Sequence, residues 1–145
     1  MIKINIVCVG KIKEEFYRSA VAEYTKRLSR FAKVEIKEIA EGKNLEEEAE
    51  SILRAMKGYS FALCIEGRKL SSQDLAKEVK NLCDKGEEIT FVIGSSCGLA
   101  NVVKERADFK LSFSDMTFPH QLMRVILCEQ IYRSFMINCG SEYHK

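Results

Sequence analysis

Residues Lys3 to Val9 alternate apolar with polar and then turn continuously apolar up to Gly10, which predicts a buried strand closed by a turn residue. From Glu14 to Phe31 the apolar positions Tyr17, Ala20, Val21, Tyr24, Leu28 and Phe31 recur at helical spacing, with Arg18, Glu23, Lys26, Arg27 and Arg30 opposite them. That charged face reads first as solvated and second as a surface able to touch RNA phosphates. Val34 to Ile39 alternates again and predicts a half-exposed strand. Asn44 followed three residues later by Glu47 has the form of a capped helix start, for a helix ending near Gly58. Tyr59 to Ile65 is a third strand, closed by Glu66-Gly67-Arg68, and Ser71 with Asp74 makes a capping-box pattern ahead of Leu75, Val79 and Leu82. Ile89 to Ile93 is almost wholly β-branched and aromatic, as expected of a central strand covered on both faces. After Gly94 come Ser95-Ser96-Cys97-Gly98, a short helix around Val102 to Arg106 and a brief strand near Phe109 to Leu111. The longest helical pattern follows, with Pro119 in its first turn and Thr117 as the candidate cap.

Strands thus alternate with helices from end to end, and no repeat, linker or low-complexity segment interrupts them. The fold class this predicts is α/β, a mostly parallel sheet with helices on both faces, in a single domain spanning 1–145. An apolar fraction of 46% over 145 residues is enough for a real core. The last helix is apolar around much of its circumference: Leu122, Val125, Ile126, Leu127, Ile131, Phe135, Met136 and Ile137 cannot all face one sheet. A second buried face implies a partner, most simply a second copy in a homodimer; the alternative is a core helix covered by the rest of the chain. Glu129 and Arg133 lie four apart on this helix, and an exposed pair of that kind contributes only about 0.2–0.5 kcal/mol. On a buried face the pair needs another reason.

Charge changes this picture little. Charged residues make up 30% and nearly balance at a net +2, so no global basic field announces a nucleic-acid partner, and none is excluded. The chain opens straight into a strand pattern without a signal-peptide profile or an apolar stretch of membrane-spanning length, and we expect a soluble, cytoplasmic protein without a membrane partner. Six cysteines, Cys8, Cys64, Cys83, Cys97, Cys128 and Cys139, are scattered with no C-x-x-C pair, which argues against a disulfide framework or a metal site. Cys97 precedes Gly98 near a helix start that could stabilise a thiolate, but no histidine lies near it and nothing else argues for covalent chemistry.

In open α/β sheets ligands bind beyond the carboxyl ends of the strands, which singles out Leu63 to Gly67, Gly94 to Leu99 and Leu111 to Phe118. Glycines and small polar residues there let backbone approach a planar or ribose-bearing ligand closely. Neither G-x-G-x-x-G nor a Walker A pattern is present, so the ligand should be held by shape and main-chain bonds rather than in a dinucleotide or triphosphate cradle.

Gly94-x-x-x-Gly98-Leu99, Leu111-Ser112-x-Ser114-x-Met116-Thr117-Phe118-Pro119-His120-Gln121-x-x-Arg124, Glu129-Gln130-x-Tyr132-Arg133 and the terminal Tyr143-His144-Lys145 together resemble one family. It is the ribosomal RNA large subunit methyltransferase H family, small SPOUT-class enzymes that modify a pseudouridine of large-subunit (23S) ribosomal RNA in the assembled ribosome. The resemblance covers essentially the whole chain, including Val7-x-Val9-Gly10-Lys11. It implies a sheet whose C-terminal part threads a trefoil knot, and S-adenosyl-L-methionine held by the knot loops. By motif the cofactor-binding residues would be Leu63, Gly94, Phe113, Ser114, Asp115, Met116, Thr117 and Phe118. It implies a homodimer with a composite site for the target base, and Glu129, Arg133, His144 and Lys145 as catalytic candidates. His144 or Glu129 would assist removal of the N3 proton of pseudouridine, while Arg133 and Lys145 offset negative charge and hold phosphate.

The chain departs from that family in carrying Ser95 where a second glycine is usual, Cys139 where an arginine is usual, Gly140-Ser141-Glu142 in place of a Gly-Glu-Pro-like turn, and a short stretch between Ile39 and Leu53. The missing arginine removes a planar phosphate-binding fork. Other readings are the same enzyme class on a tRNA or ribose target, a non-catalytic dimer that binds cofactor or RNA, and, more distantly, a flavodoxin-like redox protein.

Overall fold

Five strands and five helices alternate along the chain: β1 (Ile2–Val9), α1 (Glu15–Leu28), β2 (Ala32–Ile39), α2 (Leu45–Ala55), β3 (Tyr59–Lys69), α3 (Ser72–Asp84), β4 (Ile89–Ile93), α4 (Asn101–Arg106), β5 (Phe109–Ser112) and α5 (His120–Asn138). The structure is a computed structural model describing residues Met1–Lys145. The strands form one sheet in the order β2-β1-β4-β3-β5, and every adjacent pair is parallel.

The period-two alternation of the strands divides the core. Ile4, Ile6 and Cys8 of β1 point to the face covered by α1, α3 and α5, where they join Val21, Leu28, Leu75, Val79, Leu127 and Ile131. Val7 and Val9 point the other way, against Ala49, Ile52 and Ala55 of α2 and Val103 of α4. All five residues of the central β4 are buried, and Phe91 stacks on Phe61 of β3 with ring centroids 4.8 Å apart. The caps form as the sequence pattern says: the Asn44 side chain accepts from the Glu47 N–H, and Ser71 and Asp74 make a reciprocal capping box. Helix α5 lies on the sheet between α1 and α3. Leu127, Cys128, Ile131 and Tyr132 are buried there, whereas Leu122, Val125, Ile126, Phe135, Met136 and Ile137 remain partly exposed.

Two boundaries differ from the sequence pattern. Strand β3 continues past Ile65 to Lys69, with an irregularity that pairs both Leu63 and Arg68 with Leu111. Its polar end hides the strand from a hydrophobicity pattern, and Gly67 makes the pairing possible: a Cβ there would lie 2.7 Å from the Lys110 carbonyl. Thr117 is not the cap of α5. Pro119 occupies that position, and no side chain caps the helix.

Candidate active site

The C-terminal ends of β3, β4 and β5 meet around a cavity of about 610 Å³. Leu63, Cys64, Ile65 and Glu66 form one wall; Ile93 to Leu99, with Lys104 of α4, form a second; Leu111, Phe113, Ser114 and Met116 to His120, with Met123, close the third. The second wall is a loop folded tightly on itself. A Cβ on Gly94 would sit 2.3 Å from the Gly98 carbonyl oxygen, so only glycine admits this approach. The Gly98 N–H donates to the Ser95 carbonyl at 2.9 Å and the Cys97 N–H to the Ser95 hydroxyl at 3.3 Å. Ser95 therefore braces its own turn. The third wall is braced in the same way: Ser112 Oγ donates to the Ser114 carbonyl at 3.1 Å, and the Met116 N–H donates to Ser114 Oγ at 3.0 Å. At its end the uncapped first turn of α5 leaves N–H groups beside the cavity.

Charge in this cavity is sparse and paired. Lys104 Nζ meets Glu66 Oε1 at 2.5 Å, and that bond holds the Glu66 carboxyl below the usual carboxylate range. No arginine lines the walls. Apolar side chains for a flat ring, main-chain groups for ring edges and hydroxyls, and the lack of a free cation for phosphate all fit a phosphate-free adenosine derivative such as S-adenosylmethionine. They do not fit a nucleotide polyphosphate.

A second constellation stands on the far part of α5. Helix α5 ends in a Schellman motif, with Ser141 N–H on the Met136 carbonyl at 3.0 Å, Gly140 N–H on Ile137 at 3.1 Å, and Gly140 at φ +74. This turn sends the tail back along the helix. The Glu129 carboxylate there accepts from four donors: Gln130 Nε2 at 2.8 Å, Arg133 Nε at 3.4 Å and Nη2 at 2.9 Å, and the Tyr143 hydroxyl at 2.7 Å. Arg133 Nη1 is 2.9 Å from His144 Nδ1, and the guanidinium lies over the Tyr143 ring at 4.8 Å. Arginine only donates, so Nδ1 is the acceptor and the histidine proton sits on Nε2; Gln73 Nε2 lies 3.0 Å from that nitrogen, so the Gln73 amide must be turned to present its oxygen as the acceptor. Burial, then the bond to Glu129, pushes the Tyr143 phenol up to about 12. The same carboxylate raises the pKa of Arg133.

Of the residues expected to bind cofactor, Leu63, Gly94, Phe113, Ser114, Met116, Thr117 and Phe118 line the cavity. Asp115 does not; it is exposed and pairs with Lys69 at 2.6 Å. Glu129, Arg133 and His144 come together in the tail constellation, while Lys145 is exposed beyond it. None of these four lines the cavity. A smaller cavity of about 260 Å³ lies between: Leu111, Phe113 and Phe118 border both cavities, and Gln130 and Ser72 stand on the far side. Sequence reasoning missed Gln73, which ties α3 to the tail, Ser72 and Gln130, which tie α3 to α5, and Tyr143 as a donor to Glu129. Ser72 bonds Gln130 at 2.7 Å, yet Ser71-Ser72-Gln73 reads in sequence only as a helix start.

A loop-built cavity at the carboxyl edge of a parallel sheet, without an arginine in its walls, defines a class that comparison identifies. The family profile described as "Predicted SPOUT methyltransferase" matches residues 2–144. A probable methylase family protein from Haemophilus influenzae Rd KW20 shares the fold with a TM-score of 0.59 at 11% identity, over 98% of this chain and 70% of that one. A methylase family protein from Neisseria gonorrhoeae does so with a TM-score of 0.55 at 12% identity, over 89% and 81%. Closer in sequence, the chain is 50% identical over 157 residues to ribosomal RNA large subunit methyltransferase H of Lactobacillus helveticus (strain DPC 4571), covering 98% of this chain and 99% of that protein. The namesake of Lactobacillus acidophilus (strain NCFM) is 49% identical with the same coverage. The chain belongs to the ribosomal RNA large subunit methyltransferase H family of SPOUT methyltransferases.

Proposed function

We propose that this protein transfers a methyl group from S-adenosylmethionine to N3 of a pseudouridine in large-subunit ribosomal RNA, working as a homodimer on the assembled ribosome. The observation that carries this reading is the junction of three strand ends around one cavity whose walls carry no arginine and only a paired lysine, in a chain 50% identical over its length to a named ribosomal RNA methyltransferase. When bound, the cofactor supplies an electrophilic methyl group on a sulfonium. Leu63, Gly94 and the 113–118 loop hold it by shape and main chain, with Asp115 positioning that loop through Lys69 rather than touching the ligand.

N3 of pseudouridine carries a proton and is a poor nucleophile until that proton leaves. Glu129, already engaged by four donors, is a fixed anchor rather than the base. It pins Arg133 by its Nε/Nη2 edge and leaves Nη1 as the end free to change partner. In the complex Nη1 turns from His144 to a base carbonyl, where negative charge develops, and the released Nδ1 lone pair takes the N3 proton. Lys145 adds positive charge beside the RNA. Within one chain these groups stand behind Leu111, Phe113 and Phe118, away from the cofactor cavity. A second copy brings its tail to that cavity, and the partly exposed apolar residues of α5 supply a surface for the dimer. The knot belongs to this same proposal, as the threading that gathers the loops.

The test is transfer of labelled methyl from S-adenosylmethionine to ribosomes lacking the modification, followed by nucleoside analysis. Label in N3-methylpseudouridine of 23S RNA is the expected result. Label in another nucleoside would move the target, and cofactor binding without any transfer would overturn the catalytic reading.

A further inference from the structure

Arg124 has the largest fully buried side chain of the protein, at 1% exposure, and neither the cavity nor the tail constellation uses it. It projects from α5 beneath the ends of β1 and β2. Its Nη1 donates to Glu38 Oε2 at 2.7 Å and its Nη2 to the Gly10 carbonyl at 3.1 Å, while Nε is buried without a partner. An orphaned donor is a cost, so stability alone is a weak reason for an arginine here.

Helix α5 carries apolar residues around most of its circumference, and hydrophobic burial is non-directional. Burial holds such a helix against the sheet without fixing its rotation about its own axis. Directional contacts must do that, and Arg124 makes two of them, to Glu38 on β2 and to the carbonyl of Gly10 in the turn that follows β1. A lesser one is nearby, the Lys13 N–H to Gln121 Oε1 at 3.3 Å, whereas the bonds that tie α5 to α3, Ser72 to Gln130 at 2.7 Å and Asn138 to the Ala76 carbonyl at 3.0 Å, both lie in its second half, away from the 113–119 loop. The position of the anchor matters because of what hangs on either side of it. His120 and Met123, just before it, border the cofactor cavity, and Glu129 lies about 7.5 Å further along the axis at 1.5 Å per residue.

We propose that Arg124, through Glu38 and Gly10, is a positioning residue that sets the rotational register of α5 and thereby holds the 113–119 loop in its cofactor-binding form. The cofactor in this statement is that of the proposed function, so the test carries a readout independent of it. Arg124→Met, Arg124→Lys and Glu38→Gln are compared with Leu127→Ala, a core truncation on the same helix that leaves the anchor intact. Each is measured for S-adenosylmethionine affinity by calorimetry, for melting temperature, and for amide exchange over residues 113–123. Arg124→Met keeps the fold, since an apolar side chain of similar length replaces a buried ion, but weakens binding roughly tenfold and speeds exchange in the 113–123 segment. Arg124→Lys and Glu38→Gln recover part of both. Leu127→Ala lowers the melting temperature yet binds like the wild type while folded. Wild-type affinity and exchange in Arg124→Met would overturn the proposal, as would an equal affinity loss in Leu127→Ala. If the wild type binds no S-adenosylmethionine, the functional reading fails separately, and the exchange comparison still decides the role of Arg124.

Discussion

Replacing Gly94 with alanine puts one methyl group into the tightest point of the 94–98 loop, which the proposed function places against the cofactor. The new Cβ would lie 2.3 Å from the Gly98 carbonyl oxygen and 2.6 Å from its carbon, with Leu99 Cδ2 at 3.0 Å. Real Cβ atoms do not come within 3.0 Å of such atoms, so the 94–98 loop must move by at least about 0.7 Å. Overpacking of this kind costs about 1–3 kcal/mol of stability. The larger effect is on the ligand, because a displacement approaching 1 Å in a positioning element can cost about a hundredfold. We expect Gly94→Ala to melt several degrees lower but to fold, and to bind S-adenosylmethionine roughly 10- to 100-fold more weakly by calorimetry. Gly98→Ala is the control: nothing lies within 4 Å of its Cβ, but its φ of +87 disfavours any side chain. It should lose about 1–2 kcal/mol of stability with a smaller change in affinity. Wild-type affinity in Gly94→Ala, measured on folded protein, would refute the argument that this close approach shapes the binding wall.

The tail offers a pH test: the folded Tyr143 phenol titrates at about 12 against an ordinary 10, so its contribution to tail docking is complete below pH 10 and is lost as pH rises through 12. The phenolate absorbance of Tyr143, taken as the difference between wild type and Tyr143→Phe, should rise only as pH passes through about 12, and exchange at 141–144 should be faster in Tyr143→Phe than in the wild type at neutral pH, the missing bond to Glu129 removing about 1.5 kcal/mol or more; wild-type exchange in the variant would refute it. Glu129→Gln unpins Arg133, so turnover should fall roughly tenfold or more while the KM for S-adenosylmethionine holds, because Glu129 does not line the cavity. A matching rise in that KM would place Glu129 in cofactor binding instead. Thiol labelling should find Cys97 and Cys139 fast and the buried Cys8 and Cys128 inert, since burial pushes the last two to about 11 and 12. Bound cofactor should protect Cys97, which lines the cavity, and leave Cys139 unaffected.

The fold was legible wherever one physical signal dominated. Period-two and period-3.6 patterns placed most strands and helices, a continuous β-branched and aromatic run placed β4, and Ser71 and Asn44 announced their helices because a side-chain oxygen there has a local N–H to satisfy. The end of β3 was not legible, since Glu66-Gly67-Arg68-Lys69 has the composition of a turn and is a strand only because β5 lies alongside it. Thr117 failed as a cap for a related reason. A cap side chain is preferred when nothing else is asked of the helix start, and here that start borders the cavity.

The candidate site divides along the same line between local and tertiary information. Leu63, Gly94 and the 113–118 loop could be found from chain order alone, because in a parallel sheet the strand ends converge whatever their side chains are. The tail could not. Glu129 and Arg133 at a spacing of four look like an ordinary surface pair, and only the turn at Gly140, which brings Tyr143 and His144 back onto them, turns the pair into a carboxylate held by four donors with Arg133 Nη1 on His144. The turn explains why Cys139 is compatible with that arrangement: its thiol bonds only the Met136 carbonyl at 3.4 Å and it stands exposed outside the constellation. An arginine at that position would project toward solvent from the end of α5, next to the tail. Under the proposed function its absence bears on RNA affinity rather than on the order of Glu129, Arg133 and His144. Restoring it with Cys139→Arg should lower the KM for ribosomal RNA and leave kcat unchanged, and a change in kcat with constant KM would place position 139 inside the catalytic arrangement after all.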